Sequence, residues 1–382
     1  MDLYGLFQQV FEKRPELEVS AAGRINIIGE HVDYCGGRVF PAALNLKCTA
    51  LARANGTRRI NIYADDLEIL ESLDIENLAQ YKSLKWGNYQ AGVAYVLREK
   101  GYPLVGCDIL YSCTVPFGSG LSSSAAIEVA TAVTLNEIAQ NKYKLKDMAI
   151  LAQRAENTYC GVNCGIMDQF ASAMGKKDSA ILLNCKTLEY EYIPFALKNY
   201  GVVVANCNKP HNLVESKYNE RRGEVEEALL LLRKIYPDIA CLADVTPAML
   251  ERSNCLSGKI YDRAAHVVNE CDRVRRAAEC LKEGNIEELG RLIDQSHDSL
   301  AKLYQVTGRE LDTLVSLARM QKGCIGARMI GAGFGGCTIS IVEKSEMQAF
   351  VRRVGESYEK EIGYAASFYQ TSIEDGVTVK KL

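Results

Sequence analysis

A glycine- and serine-rich segment between a strand-like run and an alanine-rich run has the composition of a phosphate-binding turn. Residues 115–130 read VPFGSGLSSSAAIEVA, which predicts the end of a strand, a turn and the start of a helix. Free backbone N–H groups and the positive helix end would then surround one point, which favours a phosphate group. Gly118 and Gly120 allow close backbone approach, and the hydroxyls of residues 122–124 suit phosphate oxygens or a hydrated Mg²⁺. The segment lacks the Gly-Lys-Ser/Thr ending of a Walker loop, and a serine-capped helix explains it equally well.

A second group of chemically capable side chains lies near the N-terminus. The segment GRINIIGEHVDYCGG holds Arg24, Glu30, His31 and Asp33 within ten residues. One histidine with two nearby carboxylates is weak spacing for a metal site. The same groups suit the vicinal hydroxyls of a polyol, and a solvated acidic loop is the remaining alternative.

Two further acids stand in mostly apolar surroundings. Glu156 lies at the edge of the apolar stripe of a helix expected over Lys146–Tyr159, so it needs an arginine, a helix cap or a metal ion as partner. Asp168 follows Gly-Ile-Met in a run with few charges. It could cap a helix beginning at Gln169, or act as a general base beside an arginine.

A second glycine run, GAGFGG at residues 331–336, fits the dinucleotide pattern GxGxxG only on paper. That fingerprint requires a helix after the glycines, whereas the strand-like run CTISIV follows here. We therefore expect a packed loop that approaches a ligand or another backbone.

Composition limits the class of protein. The chain has 382 residues, a net charge of −3, 48% apolar and 24% charged residues, which is typical of a folded protein of two domains. No basic patch suggests nucleic acid or a membrane surface, and no obligatory protein partner is evident. The 14 cysteines form no CxxC pair, and the first residues predict an amphipathic helix rather than a signal peptide, so a cytoplasmic location with reduced thiols is expected.

The elements that must position these residues alternate irregularly. Strands are expected over Arg24–Ile28, Cys48–Ala54, Arg59–Tyr63 and Cys107–Cys113, and a helix from Ser124 to about Asn141. Strands return over residues 180–205 and 336–342, with helices in between. This order predicts an α+β fold with a boundary near residues 190–200, and we place the domains at 1–195 and 196–382.

Taken together, the motifs resemble those of the GHMP sugar and mevalonate kinases, and within them the galactokinases. Seven segments match in the same order between about residues 20 and 342: GRINIIGEHVDY, PFGSGLSSSAA, GVNCGIMDQF, SKYNERR, RAAHVVNE, SHDSL and GARMIGAGFGG. The resemblance implies the two-domain GHMP fold with its active site in the interdomain cleft, and ATP-dependent phosphorylation of D-galactose at C1.

The resemblance also implies a role for each matching residue. Asp168 would be the base that takes the proton from the anomeric hydroxyl, with Arg24 beside it. Sugar hydroxyls would be bound by Glu30, His31, Asp33, Gly165 and Tyr218. ATP would be cradled by Gly118, Ser119, Gly120, Leu121, Ser122, Ser123 and Ser124. Mg²⁺ would be held by Ser124 and Glu156.

Two departures from the family pattern leave alternatives open. Val32 and Cys35 replace the usual threonine and asparagine of the first motif. N-acetylgalactosamine kinases of the same family share the DYCG sequence, so an N-acetylgalactosamine 1-kinase or a dual-specificity sugar 1-kinase is the alternative. A catalytically weak galactose sensor is a third reading, but Arg24, Glu156 and Asp168 are all present, which favours an enzyme.

Overall fold

The candidate residues fall where strands end and helices begin. A computed structural model describes residues 2–209 and 214–382. The helices of the described chain are α1 Leu3–Phe11, α2 Asn88–Glu99, α3 Ser123–Ile138, α4 Leu145–Ala155, α5 Met167–Met174, α6 Val214–Arg233, α7 Pro247–Arg252, α8 Gly258–Glu283, α9 Ile286–Ser299, α10 Arg309–Arg319 and α11 Met347–Ile362. Among these described residues, no helix is long and apolar enough to cross a membrane.

In the described part of the chain the strands form three sheets. Their bounds are β1 Leu17–Asn26, β2 Arg38–Val39, β3 Pro41–Ala54, β4 Arg59–Ala64, β5 Ile69–Asp74, β6 Cys107–Cys113, β7 Ser179–Asn184, β8 Tyr190–Pro194, β9 Tyr200–Asn206, β10 Cys324–Met329, β11 Cys337–Glu343, β12 Ser367–Gln370 and β13 Thr378–Lys381. The largest sheet has the order β13-β1-β3-β6-β4-β5, followed by a four-stranded sheet, β10-β11-β9-β12, and a small one, β2-β7-β8.

Among the strands described, the pairing is mostly antiparallel, and β4 pairs with β6 in parallel. The long hairpin partners β1 and β3 carry Arg24 opposite Ala43, with a register shift between Ala22 and Arg24. This irregularity allows the Arg24 backbone N–H to donate to the carbonyl of Leu121, 3.0 Å away, instead of to the sheet. The first strand is therefore hydrogen bonded directly to the glycine- and serine-rich turn at residues 115–124, which is called the phosphate-loop segment below.

Helix α3 crosses the largest sheet and is buried on nearly every side. Its residues from Ala125 to Asn136 are almost all inaccessible to solvent, and it packs on β1, β3, α2, α4 and α5. A helix that is apolar all round belongs in a core, as observed. Glu128 lies within this core with no exposed surface.

Most of the elements expected from the sequence are present with shifted ends. The strand near Arg24 spans Leu17–Asn26, and the helix expected to begin at Gln169 begins at Met167, so Asp168 lies in its first turn. The last strand, β13, pairs with β1, so residues 378–381 join the sheet built by the first half of the chain. The division at 195 and 196 lies in the connection between β8 and β9.

Candidate active site

Arg24 and Asp168 form the centre of the site. Arg24 donates from Nε to Asp168 Oδ1 at 2.8 Å and from Nη2 to Asp168 Oδ2 at 2.9 Å, a two-pronged ion pair, and from Nη1 to the Gly120 carbonyl at 2.6 Å. Burial alone would lower the pKa of Arg24, but the charges of Asp168 and Glu30 outweigh it and raise that pKa above its ordinary value. The arginine therefore stays charged and fixes the carboxylate in one orientation.

Ser122 provides a third contact to the same carboxylate. Its hydroxyl donates to Asp168 Oδ2 at 2.5 Å and makes no capping bond to helix α3, although Ser122 is the N-cap residue. Ser122 therefore occupies the N-cap position without capping the helix through its side chain, and its hydroxyl is bonded to Asp168 instead. Ile166 is the N-cap of α5, so Asp168 is not a cap either.

The phosphate-loop segment is shaped by close packing against the second glycine run. Gly118 and Gly120 have φ values of 65° and 76°, in the left-handed region that favours glycine. A Cβ at Gly331 would lie 3.0 Å from the Gly120 carbonyl oxygen, and one at Gly336 would lie 2.9 Å from that of Ser119. The GAGFGG segment is therefore a packing partner of the loop, which confirms the expected close approach to another backbone.

Within the loop, the Ser119 hydroxyl donates to the Pro116 carbonyl at 2.6 Å, and its oxygen accepts from the Leu121 N–H at 3.3 Å. Leu121 is fully buried. These two residues therefore hold the shape of the loop with their side chains.

A cavity of about 180 Å³ lies beside the Arg24–Asp168 pair. The sequence-predicted residues that line it are Arg24, Glu30, His31, Asp33, Ser124, Glu156, Gly165, Asp168 and Tyr218. Residues from four separate motifs are thus brought together around one space.

Asp33 and Gly165 face each other across one wall of this cavity. A Cβ at Gly165 would overlap the Asp33 carboxylate, so glycine is required there. Burial, and then the negative charge of Asp168, raise the pKa of Asp33 to about 7. Near neutral pH this carboxyl group therefore exists in both protonation states, able to donate or accept a hydrogen bond.

Glu30 and His31 are held by the protein itself. The Glu30 carboxylate accepts hydrogen bonds from the Asn26 amide and from the Gly331 N–H, and it forms an ion pair with Arg328, whose Nη2 lies 3.0 Å from Glu30 Oε2. His31 Nε2 lies 3.1 Å from the Ala332 carbonyl oxygen and Nδ1 lies 2.8 Å from the Tyr34 hydroxyl, so Nε2 carries the proton and Nδ1 accepts.

Burial lowers the pKa of His31 to about 3, so the ring is neutral. Both of its nitrogens are engaged by protein groups. A sugar hydroxyl would therefore have to displace one of these partners before it could hydrogen bond with His31.

Ser124 and Glu156 form the second half of the site. Helix α4 widens into a π-helical turn at Glu156–Cys160, a local geometry often found at functional sites. Burial raises the pKa of Glu156 to about 7, against hydrogen bonds from Cys164, Ser124 and Gln169 that lower it. A serine hydroxyl beside a carboxylate is a set of hard oxygen donors that fits Mg²⁺.

Several contributing residues were not selected from the sequence. Glu128, Gln169 and Arg328 are fully buried and contact residues of the site. A signal existed for Glu128, because it is the sole charged residue between Asp108 and Glu137, in an otherwise apolar helix.

Val32 and Cys35 do not lie at the cavity. Both are buried, and the Cys35 thiol approaches the His31 carbonyl oxygen at 3.9 Å. The side chains that line the cavity do not include either residue. The hypothesis that these two substitutions directly enlarge a pocket for a C2 acetamido group therefore lacks a geometric basis.

Three family models match the chain. Residues 88–176 match the GHMP kinases N terminal domain, and residues 277–360 match the GHMP kinases C terminal model. A solved mevalonate kinase superposes with a TM-score of 0.68 at 18% identity over 94% of this chain and 99% of the other, which shows the shared fold. The predicted α+β, two-domain GHMP kinase fold is confirmed.

The relatives define the family more narrowly. Residues 5–54 match the galactokinase galactose-binding signature. Galactokinase from Clostridium tetani is 46% identical over 93% of this chain and 91% of its own length, and that from Enterococcus faecalis is 43% identical over 98% of both. The Lactococcus lactis galactokinase complexed with galactose superposes with a TM-score of 0.95 at 39% identity, covering 100% of this chain and 99% of the other. The chain belongs to the galactokinase family.

Proposed function

We propose that this protein transfers the terminal phosphoryl group of ATP to the anomeric C1 hydroxyl of D-galactose, giving α-D-galactose 1-phosphate. The observation that carries the proposal is the Asp168 carboxylate, held by Arg24 and Ser122 at the junction of the cavity and the glycine-rich loop. This arrangement supports a sugar hydroxyl on one side of the carboxylate and a phosphate on the other. Membership of the galactokinase family supports galactose as the sugar.

In this proposal Asp168 accepts the proton of the C1 hydroxyl while the hydroxyl oxygen bonds to the terminal phosphorus of ATP, and the bond from that phosphorus to ADP breaks. Arg24 donates to both carboxylate oxygens, so the base is oriented before the sugar arrives. The Arg24 charge also offsets negative charge on the transferring phosphoryl group. Phosphoryl transfer depends mainly on positioning and charge neutralisation, which a buried arginine and an ordered loop provide.

The sugar would lie against Asp33, Gly165 and Tyr218, with Glu30 and His31 forming the wall behind it. The backbone N–H groups of the loop from Gly118 to Ser124 would receive the ATP phosphates. The two-domain division at residue 195 belongs to this proposal, with the loop and Asp168 on the first domain. A cytoplasmic location stays a prediction.

Ser124 and Glu156 fit a magnesium ion by donor chemistry. Among the described residues, no group of three or more His, Cys, Asp or Glu side chains could hold a metal, so these two would share the ion with phosphates and water. Bound Mg²⁺ would neutralise charge on the ATP phosphates. Gln169 and Cys164 both donate to Glu156 Oε2 and so orient the Glu156 carboxyl group beside Ser124, where the ion would bind.

The proposal is tested by coupled ADP release with Mg·ATP and, separately, galactose, N-acetylgalactosamine, galactosamine and glucose, with Asp168→Asn as the matched inactive control. Fastest turnover on galactose, with ³¹P NMR placing the phosphate on C1, is the expected result. Preference for N-acetylgalactosamine would replace the substrate assignment. Galactose binding without turnover on any sugar would instead favour the sensor reading.

A further inference from the structure

Glu128 is a buried acid without a cationic partner among the described residues. It lies on α3, four residues after Ser124, and has no exposed surface. Its Oε2 accepts from Gln169 Nε2 at 3.0 Å, while Oε1 has no hydrogen-bond partner in the described chain. Burying a carboxyl group is costly unless its contacts repay that cost, and an apolar side chain would pack in such a core more favourably. The residue therefore calls for an explanation other than packing.

Gln169 connects Glu128 to the proposed metal-holding residue. The same amide nitrogen that donates to Glu128 Oε2 also donates to Glu156 Oε2, at 2.6 Å. The amide nitrogen faces both carboxyl groups, and Cys164 Sγ lies 3.8 Å from it as a weaker third acceptor. The amide is thus fixed between two acids, directly after Asp168 in the sequence.

This bridge decides which way Glu156 points. Glu156 Oε2 accepts from Gln169 and also from the Cys164 thiol at 3.2 Å, which ties one oxygen of the carboxyl group to the protein side. The Ser124 hydroxyl lies close enough to this carboxyl group to lower its pKa, and both residues line the cavity. Without the Glu128 acceptor, the Gln169 amide keeps only its contacts to Glu156 and to the Cys164 sulfur, which lie on the same side, so its orientation is less restricted.

We propose that Glu128 is a positioning residue for phosphoryl transfer, which acts through the Gln169 amide to orient the Glu156 carboxylate toward Ser124 and the metal ion of the nucleotide. Glu128 is not among the residues that line the cavity. The inference rests on the proposed kinase function for the meaning of the metal, but the bridge itself is a feature of the chain. Residues that orient metal ligands typically change metal affinity by about 10- to 100-fold when removed.

The first test measures Mn²⁺ affinity by electron paramagnetic resonance in the presence of a non-hydrolysable ATP analogue and no sugar. We expect Glu128→Leu to weaken Mn²⁺ binding about tenfold. Glu128→Gln should stay within about threefold of the parent, because glutamine keeps an oxygen that accepts from the Gln169 amide. Thr134→Val is the matched control, since Thr134 is fully buried on the same helix with an unpartnered hydroxyl among the described residues. Mn²⁺ affinity of Glu128→Leu equal to that of Thr134→Val would overturn the proposal.

The second test asks whether the effect passes through Gln169. In steady-state assays, Glu128→Leu should raise the Mg²⁺ concentration for half-maximal turnover while leaving the KM for galactose within about twofold. Adding Gln169→Leu to Glu128→Leu should raise that Mg²⁺ concentration little further, because both substitutions remove the same hydrogen-bonded link between Glu128 and Glu156. Fully additive losses would refute this route.

The experiment remains decisive if Glu128→Leu does not fold and if the parent protein phosphorylates no sugar. If Glu128→Leu does not fold, Gln169→Leu alone decides, and unchanged Mn²⁺ affinity in that variant overturns the inference. If the parent binds Mn²⁺ with the analogue but phosphorylates no sugar, the proposed function fails while the resonance experiment still tests the role of Glu128.

Discussion

We expect the carboxyl group of Asp33 to lower the free energy of unfolding near neutral pH. Its pKa rises from the ordinary 3.8 to about 7, first because it is removed from water and second because Asp168 is nearby. Between these two values the folded chain binds a proton that the unfolded chain has released. The free energy of unfolding therefore falls as pH rises through this window, by up to about 1.4 kcal/mol per pH unit, or roughly 4 kcal/mol in all.

Replacing Asp33 by asparagine should remove that loss. The asparagine side chain would be neutral at every pH, and its oxygen could still accept from the Tyr34 backbone N–H, which bonds Asp33 in the parent. We expect Asp33→Asn to match the parent near pH 4 and to exceed it at pH 8 by about 2 kcal/mol, half the upper limit, because a carboxylate that lines the cavity keeps part of its hydration. Thermal unfolding between pH 4 and 8, without sugar, measures the difference.

The control for this experiment is Asp66→Asn, a change of the same chemistry at an exposed position. Its melting temperature should follow the parent at every pH. If the profiles of Asp33→Asn and the parent also run parallel from pH 4 to 8, the reasoning about the buried charge is wrong.

The same substitution should weaken galactose binding. A hydrogen bond to a charged group contributes about 1.5–3 kcal/mol, so loss of the carboxylate predicts a dissociation constant about 10- to 100-fold higher by calorimetry. A variant that is more stable at pH 8 and binds as tightly as the parent would show that Asp33 does not contact the sugar. Together the two measurements separate the effect of the Asp33 charge on folding stability from its contribution to galactose binding.

Three other outcomes follow from the site. Asp168→Asn should reduce turnover at least about a hundredfold, the usual loss for a general base, with galactose binding retained by calorimetry; near-normal turnover would remove Asp168 from that role. Gly336→Ala should raise the KM for ATP about tenfold more than Gly363→Ala. Both glycines have positive φ, 86° and 98°, so the backbone strain of an alanine is similar at the two positions. Only Gly336 packs on the Ser119 carbonyl, whereas nothing lies within 4 Å of a Cβ at Gly363. Charged and hydrogen-bonded neighbours, against burial, lower the pKa of Glu270 from 4.5 to about 2, so its stabilising effect is full above pH 4.5 and is lost toward pH 2. The melting-temperature difference between the parent and Glu270→Gln should therefore be constant from pH 7 to 5 and shrink at lower pH; a difference independent of pH would contradict this.

Local patterns in the sequence predicted the elements better than their ends. The runs at Cys107–Cys113 and at residues 124–138 are strand and helix as expected, because apolar composition and turn residues mark both. The start of α5 at Met167 was missed by two residues, since Asp168 looks like a cap when its actual partner, Arg24, is distant in sequence. A side chain with a long-range partner carries no local sign of it.

The same limit explains which site residues were missed. Asp168 and Arg24 were identified by resemblance, and the residues alone left a cap as the alternative. Gln169 has no periodic or compositional signature, because its importance comes from two carboxyl groups that arrive from other helices. Ser122 was expected at the phosphate, yet its left-handed backbone, with φ of 66°, turns its hydroxyl toward Asp168.

The second half of the chain shapes the proposed sugar site mainly by holding a turn of the first half in place. Glu270 accepts from the Gly29 N–H at 2.9 Å and from the Ser296 hydroxyl at 2.6 Å, and His266 Nε2 lies 3.1 Å from the Glu30 carbonyl oxygen. Burial lowers the pKa of His266 to about 4, so its neutral ring donates to that carbonyl. The turn at residues 29–31 includes a left-handed His31, with φ of 61°, a conformation that persists only where surrounding contacts enforce it. Two motifs that lie outside the cavity, RAAHVVNE and SHDSL, supply those contacts, which gives a physical reason for their presence beside motifs that line it.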